Sequence, residues 1–426
     1  MGDEVARVLE SVEARAEAML AEAASLVRIP SVSGTDGEND AQAWLAGRLT
    51  DAGHEVDHWP LPLAQLAADP DFPGMEVDRR EAWGLVARLA GTGDGPTLML
   101  NGHIDVVPTG DPEAWTDPPF GATARGGRLF GRGACDMKAG LIASLCAVEA
   151  LRASGVRLRG DVVLASVQGE EDGGLGTFGL LRRGWTADAC VIAEPTELDV
   201  IPANSGALTF RLRVHGQATH AARRTDGVSA IERFWPLWQA LADLERRRHE
   251  TVDPVMARWP LAHPLSIGSV HAGDWASSVP DLLVAEGRLG VALDESVTAA
   301  RRALEDAVSE ANHGDPWLRE HPAELEWWGG QFASGRLPAD SDLTERVRRA
   351  HGTAAGEAAA APAVYGAPYG SDLRLLTGLG GIPTVQYGPG DAALAHGPFE
   401  SVPLADVVTT ARTLAVLAVD VCGRAE

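Results

Sequence analysis

Histidines and carboxylates follow the ends of several predicted strands, at the start of the loops. The residues in question are His103, Asp105, Asp136, Glu170, Glu171, Glu194 and His396. Imidazole nitrogens and carboxylate oxygens are the donors that zinc and similar divalent cations accept from proteins. Since α/β sheets build their sites in the loops at strand ends, residues far apart in the chain can meet there. The set therefore predicts a metal site that performs hydrolytic chemistry.

Each of these motifs has an ordinary alternative when it is taken singly. The pair His103 and Asp105 could form a plain turn, and Asp136 could be a helix N-cap. The acidic run 170–172 could be a solvated loop. However, three successive acids repel one another unless a cation neutralises them, which favours the metal interpretation.

As an ordered set, the residues provide five ligands for two ions. If one carboxylate bridges, each ion receives one histidine, one terminal carboxylate and the shared group. Glu170 is then left beside Glu171 as a general base for a water between the two ions. Asp105 lies two residues from His103 on the same side of an extended backbone. It can therefore accept a hydrogen bond from the ring nitrogen that does not face a metal.

The hydrophobic pattern predicts the elements that position these residues. Helices are predicted over 4–29, 38–52, 137–154, 177–183, 341–351 and 403–421, strands over 82–89, 97–101, 161–167, 189–193 and 384–387, and a loop over 60–80. Strands that alternate with helices indicate an α/β fold with a mostly parallel, mixed sheet flanked by helices.

A second pattern interrupts this alternation. Strands 207–215, 265–271, 282–293 and 323–328 and helices 228–249 and 296–312 follow one another as β-α-β-β-α-β, the split ferredoxin-like unit. We therefore expect a discontinuous catalytic domain over 1–203 and 331–426, with an inserted domain over 204–330.

The composition limits which binding partners and which cellular compartment we expect. The 426 residues include 36 basic and 60 acidic side chains, for a net charge of −24, and 45% of the residues are hydrophobic. An acidic surface repels phosphate backbones and anionic lipid, so we expect neither nucleic acid nor a membrane as a partner. The N-terminus lacks the basic and apolar regions of a signal peptide, and the four cysteines form no CxxC pair. We therefore expect a cytoplasmic location.

Five motifs resemble those of a known enzyme family. GHIDVVP, GRGACDMKAG, GEEDGG, AEPT and AHGPFESV occur in the order found in the M20 metallopeptidase and deacylase family, and the similarity covers nearly the whole chain. The long insert, SVPDLLVAEGRLGV and GPG most resemble the branch of acetylornithine deacetylases and succinyl-diaminopimelate desuccinylases. The resemblance implies a di-zinc amide hydrolase, a deacylase, in which cobalt or manganese could replace zinc.

The resemblance also assigns roles to matching positions. It implies one ion held by His103, Glu194 and a bridging Asp136, and a second held by His396, Glu171 and the same Asp136. Glu170 would be the general base, and Asp105 would orient His103. The peptide bond after Asp136 would be cis, which is unusual for a non-proline residue.

A homodimer follows from the same resemblance. His220 matches a histidine that reaches the active site of the partner subunit, so the inserted domain would serve as a lid and dimerisation domain. There His220 would donate a hydrogen bond to the oxyanion that forms on the carbonyl oxygen. The edge strands of the inserted domain need to be paired or covered, which a second copy can do.

Departures from the family pattern bear on the small-molecule substrate. Many relatives carry an asparagine three residues before the proline of the lid's Val-Pro step, and an arginine ten residues after it. These side chains hold a substrate carboxylate. Ser277 stands in the asparagine place and Gly290 in the arginine place, while Arg288 lies two residues earlier on the same strand face.

These departures have two interpretations. In the first, Arg288 binds the substrate carboxylate in place of the asparagine and arginine of the relatives, helped by Arg374 and by the loop that contains Gly370 and Ser371. In the second, the substrate lacks an α-carboxylate. The net charge of −24 favours an N-acyl or N-formyl amine with a neutral or basic body, such as a pyrimidine-type amine or a natural-product intermediate, over an N-acetyl or N-succinyl amino acid.

Two other functions are compatible with the motifs. An M20-type dipeptidase or carboxypeptidase would use the same fold and metals. A non-catalytic binding protein is the alternative of another class. The presence of Glu170 speaks against a binding protein, because a residue that is no metal ligand would have no reason to stand there.

Overall fold

The computed structural model of the protein describes residues 2–356 and 359–425. The chain forms two compact units. The first comprises Met1–Pro202, Arg336–Tyr365 and Asp372–Glu426, and the second comprises Ala203–Gly335 and Gly366–Ser371.

A six-stranded mixed sheet is the centre of the first unit. In spatial order its strands are Glu55–Pro60, Trp83–Leu89, Val162–Val167, Leu98–His103, Ala189–Ile192 and Thr384–Gln386. The first two pairings are antiparallel and the other three are parallel. The central strands are apolar and buried along their whole length, as expected of parallel strands covered on both faces. The prediction of an α/β fold is confirmed.

Helices cover both faces of this sheet. They are Gly2–Val27, Asp36–Asp51, Leu63–Ala67, Ala139–Ala153, Leu175–Arg182, Leu343–Ala355 and Leu404–Cys422. Successive strand side chains point to opposite faces, so Leu98 and Leu100 belong to one hydrophobic cluster and Met99 to another. A small antiparallel sheet is formed by Thr123–Arg125, Arg128–Phe130 and Ser401–Pro403.

The second unit contains the predicted β-α-β-β-α-β succession. Its antiparallel sheet has the spatial order Leu265–Ala272, Leu282–Val291, Gly206–His215 and Glu324–Phe332. The helices are Ala230–Arg248, Val297–Gly314 and the short Pro316–Glu320; Thr219–His220 pairs with Ser278–Val279, and two-residue strands occur at Ala203–Asn204 and Gly335–Arg336. The two long helices begin at serine N-caps, where Ser229 and Ser296 accept backbone N–H bonds of 3.4 and 3.1 Å.

The structure differs from the sequence predictions in its elements and in its division into units. The edge strand Glu55–Pro60 was not predicted, and helix Leu63–Ala67 lies within the predicted loop 60–80. Ala203 and the segments 331–335 and 366–371 belong to the second unit rather than the first. The segment 366–371 joins that unit through backbone contacts that no local pattern shows. Gly366 N donates to Val255 O at 2.8 Å, and the carbonyl of Gly366 accepts from Trp259 Nε1 at 2.6 Å.

Candidate metal centre

The central parallel strands bring predicted ligands to one edge of the sheet. His103 is the last residue of its strand, and Glu170, Glu171 and Glu194 follow the ends of the two strands that flank it. Since the carboxyl ends of parallel strands share an edge, these side chains converge there.

Asp136 reaches the same place from the loop before helix Ala139–Ala153. The peptide bond between Asp136 and Met137 is cis, as the resemblance implies. His103 Nε2 lies 2.9 Å from Asp136 Oδ1, and His396 Nε2 lies 3.6 Å from Asp136 Oδ2. Asp136 therefore stands between the two histidines and presents one oxygen to each.

The remaining ligands close the cluster on either side. His396 Nε2 lies 3.1 Å from Glu171 Oε2, and His103 Nε2 lies 3.9 Å from Glu194 Oε2. The structure thus brings the five sequence-predicted ligands together. Glu170 belongs to the same group, because its carboxylate lies within 4.8 Å of the donor atoms of His103 and Glu194.

The donor set fits a pair of divalent cations. Three carboxylates and two imidazoles supply the oxygen and nitrogen ligands that zinc, cobalt and manganese accept. In addition, the donor atoms of His103, Asp136 and Glu171 all lie within 4.8 Å of one another. The cluster can therefore hold metal.

The electrostatics of the cluster also favour cations. Burial raises the pKa of Glu170, Glu171 and Glu194, and repulsion from Asp136 adds to this effect at Glu171 and Glu194. Hydrogen bonds to Asp136 and Glu171 raise the pKa of His396 to about 11. Burial and mutual repulsion thus disfavour the charged forms of these carboxylates, and bound cations would relieve that repulsion.

Asp105 acts differently from what the sequence predicts. The Nδ1 of His103 bonds to the main-chain carbonyl of Asp105 at 2.9 Å, whereas the nearest carboxylate oxygen of Asp105 is 3.8 Å away. The carboxylate instead accepts the backbone N–H groups of Glu170 and Glu171 at 3.3 and 3.2 Å. The backbone of Asp105 orients the histidine, and its side chain secures the acidic loop.

The third acid of the loop is neutralised by a residue that sequence reasoning missed. Arg79 donates two 2.8 Å bonds to Asp172 and two 2.9 Å bonds to Glu38. All three side chains are buried. Asp172 therefore serves the loop's structure, and the repulsion predicted for the acidic run is relieved in part by an arginine. The predicted loop around Arg79 carries no signal that singles it out.

In the second unit, two of the sequence-predicted residues lie side by side. His220 and Ser277 are on adjacent segments, joined by a 2.9 Å bond from Ala221 N to Ser277 O. His220 Nδ1 accepts a 3.0 Å bond from Ala222 N. A neutral imidazole that accepts at Nδ1 carries its proton on Nε2. The exposed His220 is therefore a hydrogen-bond donor at Nε2.

The predicted carboxylate-binding residues are divided between the units. Arg288 stacks over Phe332, with its guanidinium 5.6 Å from the ring centre, and Gly370 packs against the same ring. Ser371 donates to Asn204 Oδ1 at 3.3 Å in that unit. Arg374 lies in the first unit and is buried, donating to Gly173 O at 2.6 Å.

A mixed α/β sheet with a carboxylate and histidine cluster at its strand ends is the framework of a metallohydrolase. The family model of peptidase family M20/M25/M40 matches residues 99–420, and the chain belongs to this family. It is a hydrolase that uses bound metal to cleave amide bonds.

Similar proteins come from bacteria and yeast. The chain is 29% identical to the N-formyl-4-amino-5-aminomethyl-2-methylpyrimidine deformylase of Halalkalibacterium halodurans, over 98% of this chain and 97% of that protein. It is 38% identical to the succinyl-diaminopimelate desuccinylase of Methylobacterium sp. (strain 4-46), over 48% of this chain and 50% of that protein. A di-peptidase structure from Saccharomyces cerevisiae shares the fold, with a TM-score of 0.76, 14% identity and 98% of each chain covered.

Within the described residues, no helix has both the length and the apolar character that crossing a membrane requires. The cytoplasmic location stays a prediction.

Proposed function

We propose that the protein is a zinc-dependent deformylase that acts on a small N-formyl amine without an α-carboxylate. His103 and Glu194 would hold one ion, His396 and Glu171 the other, and Asp136 both. Two zinc ions bound there would make a water acidic enough to attack and would polarise the amide carbonyl. Cobalt and manganese accept the same donors.

Glu170 has the properties of the general base in this reaction. It is buried at the cluster, and burial raises the pKa of its carboxyl group, which makes the carboxylate a stronger base. Its backbone is held by the Asp105 carboxylate, so the side chain starts from a fixed point. Glu170 would take a proton from the attacking water and return it to the departing amine.

His220 is the proposed donor to the developing oxyanion. Its Nδ1 is occupied by the backbone N–H of Ala222, so its Nε2 is a donor without any change of tautomer. We assign this role to His220 of a second copy of the chain, acting in trans.

An apolar face of the second unit supports a homodimer. Ile231, Trp235 and Trp238 lie at intervals of three and four residues on helix Ala230–Arg248, with exposures of 53%, 61% and 43%. The sequence predicts most tryptophans as core. Of the twelve, all within the described residues, Trp59 alone is buried, with 6% exposure, and the others are half-buried or exposed. Exposed aromatic side chains in one stripe are typical of a protein interface.

Complementation tests the dimer and the trans role together. Glu170→Gln and His220→Ala are each expected to be inactive. Subunit exchange between them should restore part of the activity, because one site of each heterodimer has both wild-type residues. Exchange that is verified by mass but restores no turnover would contradict the trans assignment.

The glycine at position 290, where many relatives carry an arginine that binds a substrate carboxylate, is the observation that carries the substrate proposal. At Gly290, where many relatives carry the clamp arginine, a Cβ atom would lie 2.4 Å from the backbone of His263. No side chain fits there without moving backbone. A buried carboxylate without a matched cation would be costly to bind. The relative that matches over 98% of this chain is named for removing a formyl group from an aminopyrimidine.

A substrate panel tests the proposal. The zinc-loaded enzyme should hydrolyse an N-formyl aminomethylpyrimidine with a kcat/KM at least a hundredfold above those of N-acetylornithine and N-succinyl-diaminopimelate. Arg288→Ala should leave this preference unchanged. A hundredfold preference for the carboxylate-bearing amides that Arg288→Ala abolishes would refute it and identify Arg288 as the clamp.

A further inference from the structure

We propose that the buried ion pair between Arg132 and Glu400 positions the metal ligands Asp136 and His396, each partner holding the loop of the other. Arg132 lies four residues before Asp136, and Glu400 lies four residues after His396. Both charged side chains are almost fully buried and bonded to each other. The inference rests on the ligand assignment proposed above.

Glu400 holds the loop that carries Asp136. Its Oε1 accepts the backbone N–H groups of Cys135 and Asp136 at 3.1 and 3.2 Å, while its Oε2 pairs with Arg132. Two backbone donors next to the cis peptide bond are thereby fixed by one carboxylate. The position of Asp136, which faces both histidines, depends on this contact.

Arg132 holds the loop that carries His396. Its Nη2 donates to the carbonyl oxygens of His396 and Pro108 at 3.1 and 3.2 Å. The guanidinium also lies 5.2 Å from the ring centre of Trp115. His396 needs this support because it has a φ of 62°, a left-handed conformation that non-glycine residues seldom adopt. Its imidazole is also the most exposed of the cluster, with 54% of the side chain accessible.

The remaining ligands do not depend on this pair. His103 ends a strand in the middle of the sheet, and Glu194 follows the neighbouring parallel strand, so the strand ladder positions both. The backbone N–H of Glu171 is held by the carboxylate of Asp105. The two halves of the ion pair should therefore have different effects. Loss of the Arg132 contacts affects the ion held by His396, whereas loss of the Glu400 contacts affects both ions through Asp136.

The test is a cobalt titration of the metal-free protein, followed by visible absorption against a competing chelator. Arg132→Lys keeps the charge but lacks the planar fork that reaches Glu400 and two carbonyls together. It should raise the dissociation constant of the His396 ion about 10–100-fold and leave the other ion within about threefold. Glu400→Gln should weaken both ions. His396→Ala identifies the absorption bands of its ion.

Glu149→Gln is the matched control. Glu149 is also buried and paired with two arginines, Arg15 and Arg48, but contacts no ligand. Glu149→Gln should bind both cobalt ions with wild-type affinity, whether or not its Tm falls. Circular dichroism verifies that each variant is folded, and Arg132→Lys, which keeps the charge, provides the test if Glu400→Gln does not fold.

Two results would overturn the inference. One is wild-type affinity for both ions in Arg132→Lys and Glu400→Gln; the other is equal weakening of both ions by Arg132→Lys. If the proposed function is wrong, the result differs from both of these. In that case the wild-type protein binds two cobalt ions as described but does not hydrolyse N-formyl amines.

Discussion

Replacing Gly140 with alanine adds a single methyl group, which should weaken metal binding at the candidate metal centre. Gly140 lies at the start of helix Ala139–Ala153, four residues after Asp136. A Cβ atom there would lie 2.0 Å from the carbonyl oxygen of Ala193, the residue before Glu194. The strand end cannot retreat freely, because Gly388 packs equally closely on Ala193 and Glu194. A Cβ on Gly388 would be 2.4 Å from Ala193 O and 2.5 Å from Glu194 O.

The size of the effect follows from that contact. Ordinary van der Waals contact begins at 3.4 Å, so helix and strand end must separate by about 1.4 Å. Metal–ligand distances tolerate about 0.2 Å, so Asp136 and Glu194 can no longer bind the ion that they share. Overpacking costs about 1–3 kcal/mol, and alanine gains about 0.5–1 kcal/mol over glycine in a helix, so the midpoints of the two ranges leave a destabilisation of about 1 kcal/mol.

Zinc affinity and thermal unfolding measure the two consequences. Gly140→Ala should bind zinc at least about tenfold more weakly, with a lower Tm and a matching loss of kcat/KM. Gly47→Ala is the control, because Gly47 also lies within a helix but has nothing within 4 Å of the added methyl group. It should leave zinc affinity unchanged and keep or raise the Tm. Wild-type zinc affinity and turnover in Gly140→Ala would refute the reasoning.

Three further predictions concern single side chains. Glu170→Gln should retain two metal ions by elemental analysis but lose about 10²–10⁴-fold in kcat, because the variant cannot transfer the proton. Asp136→Ala should lose both ions, since Asp136 presents one carboxylate oxygen to each histidine; retention of one tightly bound ion would contradict a bridging role. Burial lowers the pKa of His351, whose Nδ1 lies 2.7 Å from the hydroxyl of Tyr387. Below pH 6.5 the unfolded chain therefore binds a proton that the folded protein does not, and stability falls as the pH falls. The Tm of His351→Gln should decline less than that of the wild type between pH 7 and 5, and parallel declines would exclude His351 as the cause.

The sequence by itself predicted the α/β fold and the place of the ligands, because both depend on local features. Apolar runs mark the buried parallel strands, and the side chains that follow such runs stand at the carboxyl edge of the sheet. The candidate ligands His103, Glu171 and Glu194 could therefore be named from a strand end and a donor type. The edge strand Glu55–Pro60 was missed because only its pairing with Trp83–Leu89 makes it a strand.

Tertiary structure alone decided which charged groups support those ligands. Arg79 is one of 35 arginines and lies in a loop that does not distinguish it, and although Arg132 lies in the motif GRGACDMKAG, its partner Glu400 is 268 residues away. Likewise, the side chain of Asp105 turns to the acidic loop, while its carbonyl oxygen bonds to His103. Periodicity reports whether a residue is buried and on which face. The partner of a buried charge is set by how distant segments pack, and that information is not local in the chain.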